Sequence, residues 1–313
     1  MKPLILNILF LILVFLAAAS FRLTNLDLIE FKLDEARDVY EMELFWQNPH
    51  IIERGTIQST GVYNPPFWYY ILALISAPSR DPEYLSGAIA VINSLAIAGF
   101  YLVVKRFFGQ WMGVVAALLL AFSPWSILFS RKIWAPDVLL PFVVVWFWCM
   151  SRIFSRQRVL SLDSPTAIPP SNNSGAPSVG LPAFVPPVAW CYFGLFLILG
   201  LLAQVHASGI FLAVGTAVAL VAFDLRGVKT HLAGVLVGLL ISLIPLTPYI
   251  NYQIKTNCED CRAFTSYQEG ETIIKKGPDN NAFLRPFQFI TGSGFQVALG
   301  TEGYQAFVEQ NPF

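Results

Sequence analysis

The chain reads as an all-α polytopic membrane protein of about seven transmembrane helices, and three observations predict this. Hydrophobic residues make up 55% of its 313 residues and charged residues only 13%, roughly half the charged share of a soluble domain. The mean hydropathy is +0.58. The apolar residues also come in long runs rather than at amphipathic spacing. Each run approaches the ~20 residues that cross a ~30 Å hydrocarbon core at about 1.5 Å per residue. The formal net charge is zero, so no basic field points to nucleic acid.

The spans fall at about 4–20, 84–104, 112–130, 137–152, 187–204, 208–224 and 231–250. The first, with Lys2 before it and Ala17-Ala18-Ala19-Ser20 at its end, also fits a cleaved signal peptide. A polytopic protein gains little from cleavage there, so we read it as an uncleaved first span. No internal repeat is evident. The loop 21–83 follows, and within it Pro65 to Pro78 is apolar but too short to cross. Its Trp68, Tyr69 and Tyr70 favour the headgroup level, and Pro suits the first turn of a helix. A juxtamembrane helix along the external interface is the expectation.

That reading sets the topology. If the run does not cross, Lys2, Lys105, Arg106, Arg152, Arg156, Arg158, Arg226 and Lys229 face the cytoplasm against only Asp163 and Asp224. The positive-inside rule then holds at every short loop. Asp34-Glu35, Asn64, Arg131-Lys132, Asp137 and His206 come out together on the external face. Charged groups at span ends are costly against lipid and usually line a cavity or pathway.

Residues 153–187 are rich in Ser, Pro, Gly and Asn and read as a flexible cytoplasmic linker. Asn172-Asn173-Ser174 matches a glycosylation pattern there by chance. Residues 1–250 form the transmembrane module. Residues 251–313 are polar and external, either a short loop or the start of a truncated C-terminal region, and we expect a fragment of a longer protein. Cys149 and Cys191 sit in apolar spans as packing residues. Cys258 and Cys261, outside, suit a local disulfide better than a metal site.

An N-terminal span, an external loop carrying Asp34-Glu35, a Pro65-Pro66-aromatic segment, and Ser123-Pro124-Trp125 running through Arg131 to Asp137 together resemble the GT-C glycosyltransferases. More narrowly, they are similar to the branch of protein O-mannosyltransferases and lipid A aminoarabinose transferases. The resemblance covers residues 1 to about 250, the conserved seven-span module of that fold. It implies inverting transfer of a sugar from a polyprenyl-phosphate donor to a lipid, glycan or protein acceptor, at a site facing the periplasm of a bacterial inner membrane, among membrane lipids. It also implies that Asp34 is the catalytic base and that Asp137 matches a second acid of the family. Where the family often has a basic residue or His before Pro, this chain has Asn64, which offers no cation. The family's further C-terminal spans, which help enclose the donor, have no counterpart here, so the chain as it stands is expected to be inactive.

The chemistry of each residue can be set beside its plainer alternative. A carboxylate near the anomeric carbon can take the acceptor proton. Asp34 suits that role, with Glu35 supporting, since helix neighbours do not share a face; both also suit a merely solvated loop. Arg131 and Lys132 can hold the leaving phosphate or snorkel to headgroups. Asp137 can steady those cations or contact the acceptor, or answer the helix macrodipole. His206 can contact phosphate or sugar, or cap a turn. Asn64 can bond a sugar hydroxyl or start a turn. No metal or other cofactor is expected, because the carboxylates lack His at ligand spacing. The rival class is a transporter or flippase of a lipid-linked or small polar substrate, for which paired halves with broken helices near the midplane are the usual mark; no such duplication is visible.

The topology can be tested by labelling single introduced cysteines with an impermeant reagent. Positions Gln47, Ser59 and Ser266 are expected to label from outside, and Ser171 only after permeabilisation. External labelling at 171 would invert the arrangement and separate His206 and Asp137 from Asp34.

Overall fold

The computed structural model describes residues 2–58, 61–162 and 187–269. Among the described residues its regular elements are helices, with one antiparallel bridge, Ile57 with Tyr63, in the irregular stretch between Gln47 and Phe67. The sequon at Asn172, most of the expected linker and residues 270–313 lie outside the described residues.

Helix α1 (Lys2–Leu23) is followed by the loop helices α2 (Leu33–Gln47) and α3 (Phe67–Ser76). Helix α4 (Pro82–Phe108) starts under the cap of Asp81, which accepts from the Tyr84 N–H at 3.0 Å. Among the described residues, five segments are long and apolar enough to cross a membrane: α4, residues 135–155, α8 (Val188–Val205), α9 (Ser208–Thr230) and residues 232–255. Helix α3 has ten residues, about 15 Å at helical rise, too short to cross. It packs against α2, α4 and α8 and buries Trp68, Tyr69, Leu72 and Ala73.

Three stretches differ from the sequence expectation. The single span expected over 112–130 is two helices, α5 (Gln110–Phe122) and α6 (Pro124–Phe129). Pro124 has no N–H to continue the ladder, and Ser123 accepts from Ser126 N–H to start a new helix. Helix α7 (Leu139–Leu162) runs on into the stretch 153–187 expected as linker. The last span is broken as well. Helix α10 (Leu232–Ser242) gives way at Pro245 to α11 (Thr247–Lys255), and α12 (Glu259–Glu269) follows beyond a Cys258–Cys261 disulfide.

Two devices fix the packing. Arg22, fully buried at the end of α1, donates to the carbonyls of Ala18, Ala121 and Leu120 at 3.0–3.1 Å and to Ser126 Oγ at 2.7 Å. It satisfies carbonyls that the end of α5 leaves without partners and places a cation at that helix's negative end. The second device is backbone contact between α8 and α10. A Cβ at Gly238 would lie 2.4 Å from Phe193 O, and one at Gly200 would collide with Ser242 Oγ. With Gly234 on the same face, one helical turn before Gly238, this is the small-residue seam by which helices approach closely in lipid. The outward faces of α9 and α10, with Phe211, Val214, Val218, Leu236 and Leu240 exposed, suit a hydrocarbon surround.

Beneath the α2 and α3 end of the bundle, Met42, Trp68, Leu72, Leu85, Ile89, Ile133, Val138 and Val205 form one core. This joins the first loop to the starts of α4 and α7 and to the end of α8.

Gly238→Ala is expected to destabilise the solubilised protein by about 1–3 kcal/mol through overpacking. Gly215→Ala on α9, where nothing lies within 4 Å, should instead stabilise by up to about 1 kcal/mol. Thermal unfolding in one detergent compares them, and equal effects would remove the seam from the account.

Candidate functional site

The stretch after α1 and the connection from α6 to α7 meet at this end of the bundle. Asn25 takes a left-handed conformation, φ 51°, and its carbonyl and that of Thr24 accept from Arg131 Nη2 at 2.6 and 2.8 Å. Among the described residues no carboxylate stands within ion-pair distance of Arg131. Burial holds its pKa below the ordinary arginine value, and Asp27 opposes that pull.

Lys132, next in sequence, points inward with its side chain 12% exposed and lies 2.7 Å from Glu30 and 3.2 Å from Glu35. Burial pulls its pKa down, but the two carboxylates outweigh it and the net shift is upward. Its ammonium also stands 5.3 Å from the Trp134 ring centre. Glu30 touches Lys32 as well. Burial raises its pKa, and the two lysines hold it lower on balance.

Helix α2 carries both Asp34 and Glu35 in its first turn, where the macrodipole favours acids. They face different ways. Glu35, with its side chain 4% exposed, reaches back to the Lys32 N–H at 3.0 Å and across to Lys132. Asp34, 55% exposed, faces outward with Arg37 Nη1 3.5 Å away. One turn on, Asp38 is buried and accepts from Trp68 Nε1 at 2.7 Å and Thr56 Oγ1 at 3.0 Å. Burial, against these hydrogen bonds, pushes its pKa from 3.8 up to about 7.

Asp137 sits in the 3-10 turn before α7 and is 5% exposed. Its carbonyl accepts from the buried Asn93 Nδ2 at 2.8 Å, a side chain that also reaches Ser130 O. Its Oδ2 has no partner among the described residues. Burial pushes its pKa from 3.8 up to about 9, with Lys132 pulling it down and Glu35 and Glu30 adding to the rise. His206 caps the start of α9, Nδ1 taking the Ser208 N–H at 3.2 Å. That assigns the proton of a neutral ring to Nε2. The ring stands edge-on to Trp134 at 6.3 Å, and burial lowers its pKa.

The structure therefore brings Glu35, Lys132 and Asp137 together, with Arg131 adjacent, His206 beyond Trp134 and Asp34 at the rim. Asn64 stands apart. Its amide is used within the short hairpin, Nδ2 donating to Thr56 O at 3.1 Å and Oδ1 accepting from Gln58. Gly55 is required opposite it, since a Cβ there would lie 2.6 Å from Pro65 O. The sequence reading passed over Glu30, Arg37 and Asp38. Among the described residues no three His, Cys, Asp or Glu side chains converge as a metal-ligand set.

Residues 63–162 match the family described as dolichyl-phosphate-mannose-protein mannosyltransferase. The matched stretch contains Asn64, Arg131, Lys132 and Asp137 and leaves Asp34, Glu35 and His206 outside. It agrees with the resemblance drawn from the sequence and supports a membrane glycosyltransferase of the mannosyltransferase type. No curated protein and no solved structure matches the chain.

Asp38 holds its proton to higher pH in the folded chain than in the unfolded one. The fold around it therefore loses stability as pH rises from near 4 through about 7. Hydrogen exchange of residues 33–47 and 67–76, corrected for intrinsic rates, should show less protection at about pH 8 than at about pH 5. Asp38→Asn should remove that difference. Equal protection in the native chain at both pH values would exclude Asp38 as its source.

Proposed function

We propose that this chain carries the catalytic end of a membrane glycosyltransferase that moves a sugar from a polyprenyl-phosphate carrier to an acceptor hydroxyl on the non-cytoplasmic side. The observation that carries the reading is the meeting of acids and cations from two distant stretches, 30–38 and 131–137, at one end of an apolar bundle. The family match over 63–162 supports the reaction class. The choice of donor and the sidedness rest on the resemblance and on the charge bias of the short loops.

In this reading Asp34 takes the acceptor proton as the acceptor oxygen attacks the anomeric carbon. The bond to the phosphate oxygen breaks on the opposite face, and the lipid phosphate leaves with its electron pair. Asp34 is the accessible carboxylate of the pair, exposed beside Arg37. Glu35 works through Lys132, bracing α2 against the α6–α7 connection. Arg131, bonded to backbone carbonyls and with no carboxylate at ion-pair distance among the described residues, is the cation to meet the leaving phosphate. Lys132, offset by Glu30 and Glu35, contributes field more than a free charge. The unpartnered Oδ2 of Asp137 belongs to a carboxyl that burial keeps protonated near neutral pH, and it is a hydrogen-bond partner for a sugar oxygen; His206 Nε2–H is a donor at the far edge. Asn64 contributes through the hairpin that holds Thr56 against Asp38.

Membranes carrying the full-length gene product, supplied with a polyprenyl-phosphate sugar, test the assignment. A positioned base contributes about 10²–10⁴-fold, so Asp34→Asn should lower turnover by about that much while donor binding holds. Arg131→Ala should weaken donor binding too, because it meets the phosphate in ground and transition states alike. Asp34→Asn keeping more than about a tenth of native turnover would remove Asp34 as base.

A further inference from the structure

On the outer face of α2 lies an open cleft of about 620 Å³, within the range of about 300–1,000 Å³ usual for ligand sites. Its walls are α2, the extended stretch 50–57, Tyr69 of α3 and Tyr252 of α11. We propose that this cleft is the acceptor site and that it takes a neutral, hydroxyl-rich glycan. The proposal rests on the transferase reading above and adds the class of acceptor.

Three observations carry it. The first is connection to the base. Arg37 lines the cleft, and its Nη1 stands 3.5 Å from both Asp34 Oδ1 and the Ile57 carbonyl. A hydroxyl held at the Arg37 end of the cleft is therefore one side chain away from the carboxylate that would deprotonate it. Arg37 is thus a positioning residue for Asp34.

The second is charge. Arg37 and Arg54 face Glu41 and Glu53 around the cleft, with Asp34 on Arg37, Lys255 on Glu53 and Glu259 on Tyr252, so charges of both signs are interleaved and no cationic patch is presented to select an anion. Arg54 is held between two rings, 4.3 Å from the Tyr63 centre and 5.3 Å from that of Tyr252, and donates to Tyr252 Oη at 2.8 Å. Glu41, one turn from Arg37 on the same face of α2, has no hydrogen bond or ion pair among the described residues. Planar guanidinium and carboxylate groups of this kind present paired donors or acceptors, which suit adjacent hydroxyls on a sugar ring.

The third weighs against an extended peptide. A peptide that adds as a strand needs a free backbone edge. Here the Ile52 carbonyl is taken by Tyr70 Oη at 2.8 Å and that of Ile57 by Arg37. Gly55 N–H and Thr56 C=O are used across the hairpin, so a strand laid along 52–57 would meet a ladder interrupted at these four groups.

Saturation-transfer NMR on the full chain in nanodiscs tests this without a donor, with three probes: a neutral hexose trisaccharide, the same trisaccharide phosphorylated, and an uncharged Ser/Thr peptide. The neutral trisaccharide alone should bind saturably. Glu41→Gln and Arg54→Gln should each weaken it by about tenfold, the loss expected for a hydrogen bond to a charged group. Because Glu41 supports no other contact, its variant separates recognition from folding. Preferred binding of the peptide or of the phosphorylated sugar overturns the proposal, as does trisaccharide binding that neither variant changes. Sugar transfer to some other acceptor with no trisaccharide binding would keep the transferase and discard the glycan cleft. Variant-sensitive trisaccharide binding in a protein that transfers no sugar would do the reverse.

Discussion

The buried guanidinium of Arg22 is the constraint from which the arrangement of this end of the bundle follows. A charge removed from water needs several partners. Arg22 finds them in the carbonyls of α1 and α5 and the hydroxyl of Ser126. The break at Ser123-Pro124 makes this possible, because ending α5 there exposes the carbonyls of Leu120 and Ala121. Charge and break explain each other. Together they tie the last turn of α1 to the start of α6, so the residues beyond each, 24–38 and 130–137, leave from adjoining points.

That proximity governs the electrostatics. Lys132 is shared between two acids from the first loop, Glu30 and Glu35, so the ion cluster around it is nearly neutral and can be buried. Arg131, one residue earlier, takes its partners from backbone carbonyls instead and keeps its charge for other use. Adjacent residues on one short connection thus divide two tasks, structural neutralisation and an available positive charge. Asp34 and Glu35 divide theirs in the same way.

The class and the order of apolar segments could be read in the sequence, because apolar run length and charge placement carry that information directly. The details that escaped were those set by three-dimensional partners. Ser123-Pro124 stood in plain view, but a break within an apolar run is visible only once something satisfies the freed carbonyls, and Arg22 lies a hundred residues away. Asn64 left two readings open, a sugar contact or the start of a turn before Pro65, and its amide is used locally by Thr56 and Gln58, a pairing that composition cannot signal. Asp38 was hidden differently. An acidic residue on a loop helix reads as solvated, and only the burial of Trp68 and Tyr69 around it makes it otherwise.

The hairpin of the first loop is also bound to residues made long after it. Tyr63 N–H donates to Asp260 Oδ1 at 3.1 Å across 197 residues of sequence, and Lys255 meets Glu53 at 2.8 Å. The wall that Tyr252 adds therefore cannot exist until the last described helices have been synthesised. At about 5–20 residues per second, translation leaves the hairpin waiting roughly 10–40 s for them. During that interval Arg54 and the faces of Tyr63 lack their partner ring. The nascent chain then has a half-built cleft, and anything that pauses synthesis between the two halves lengthens its exposure to whatever the membrane surface offers.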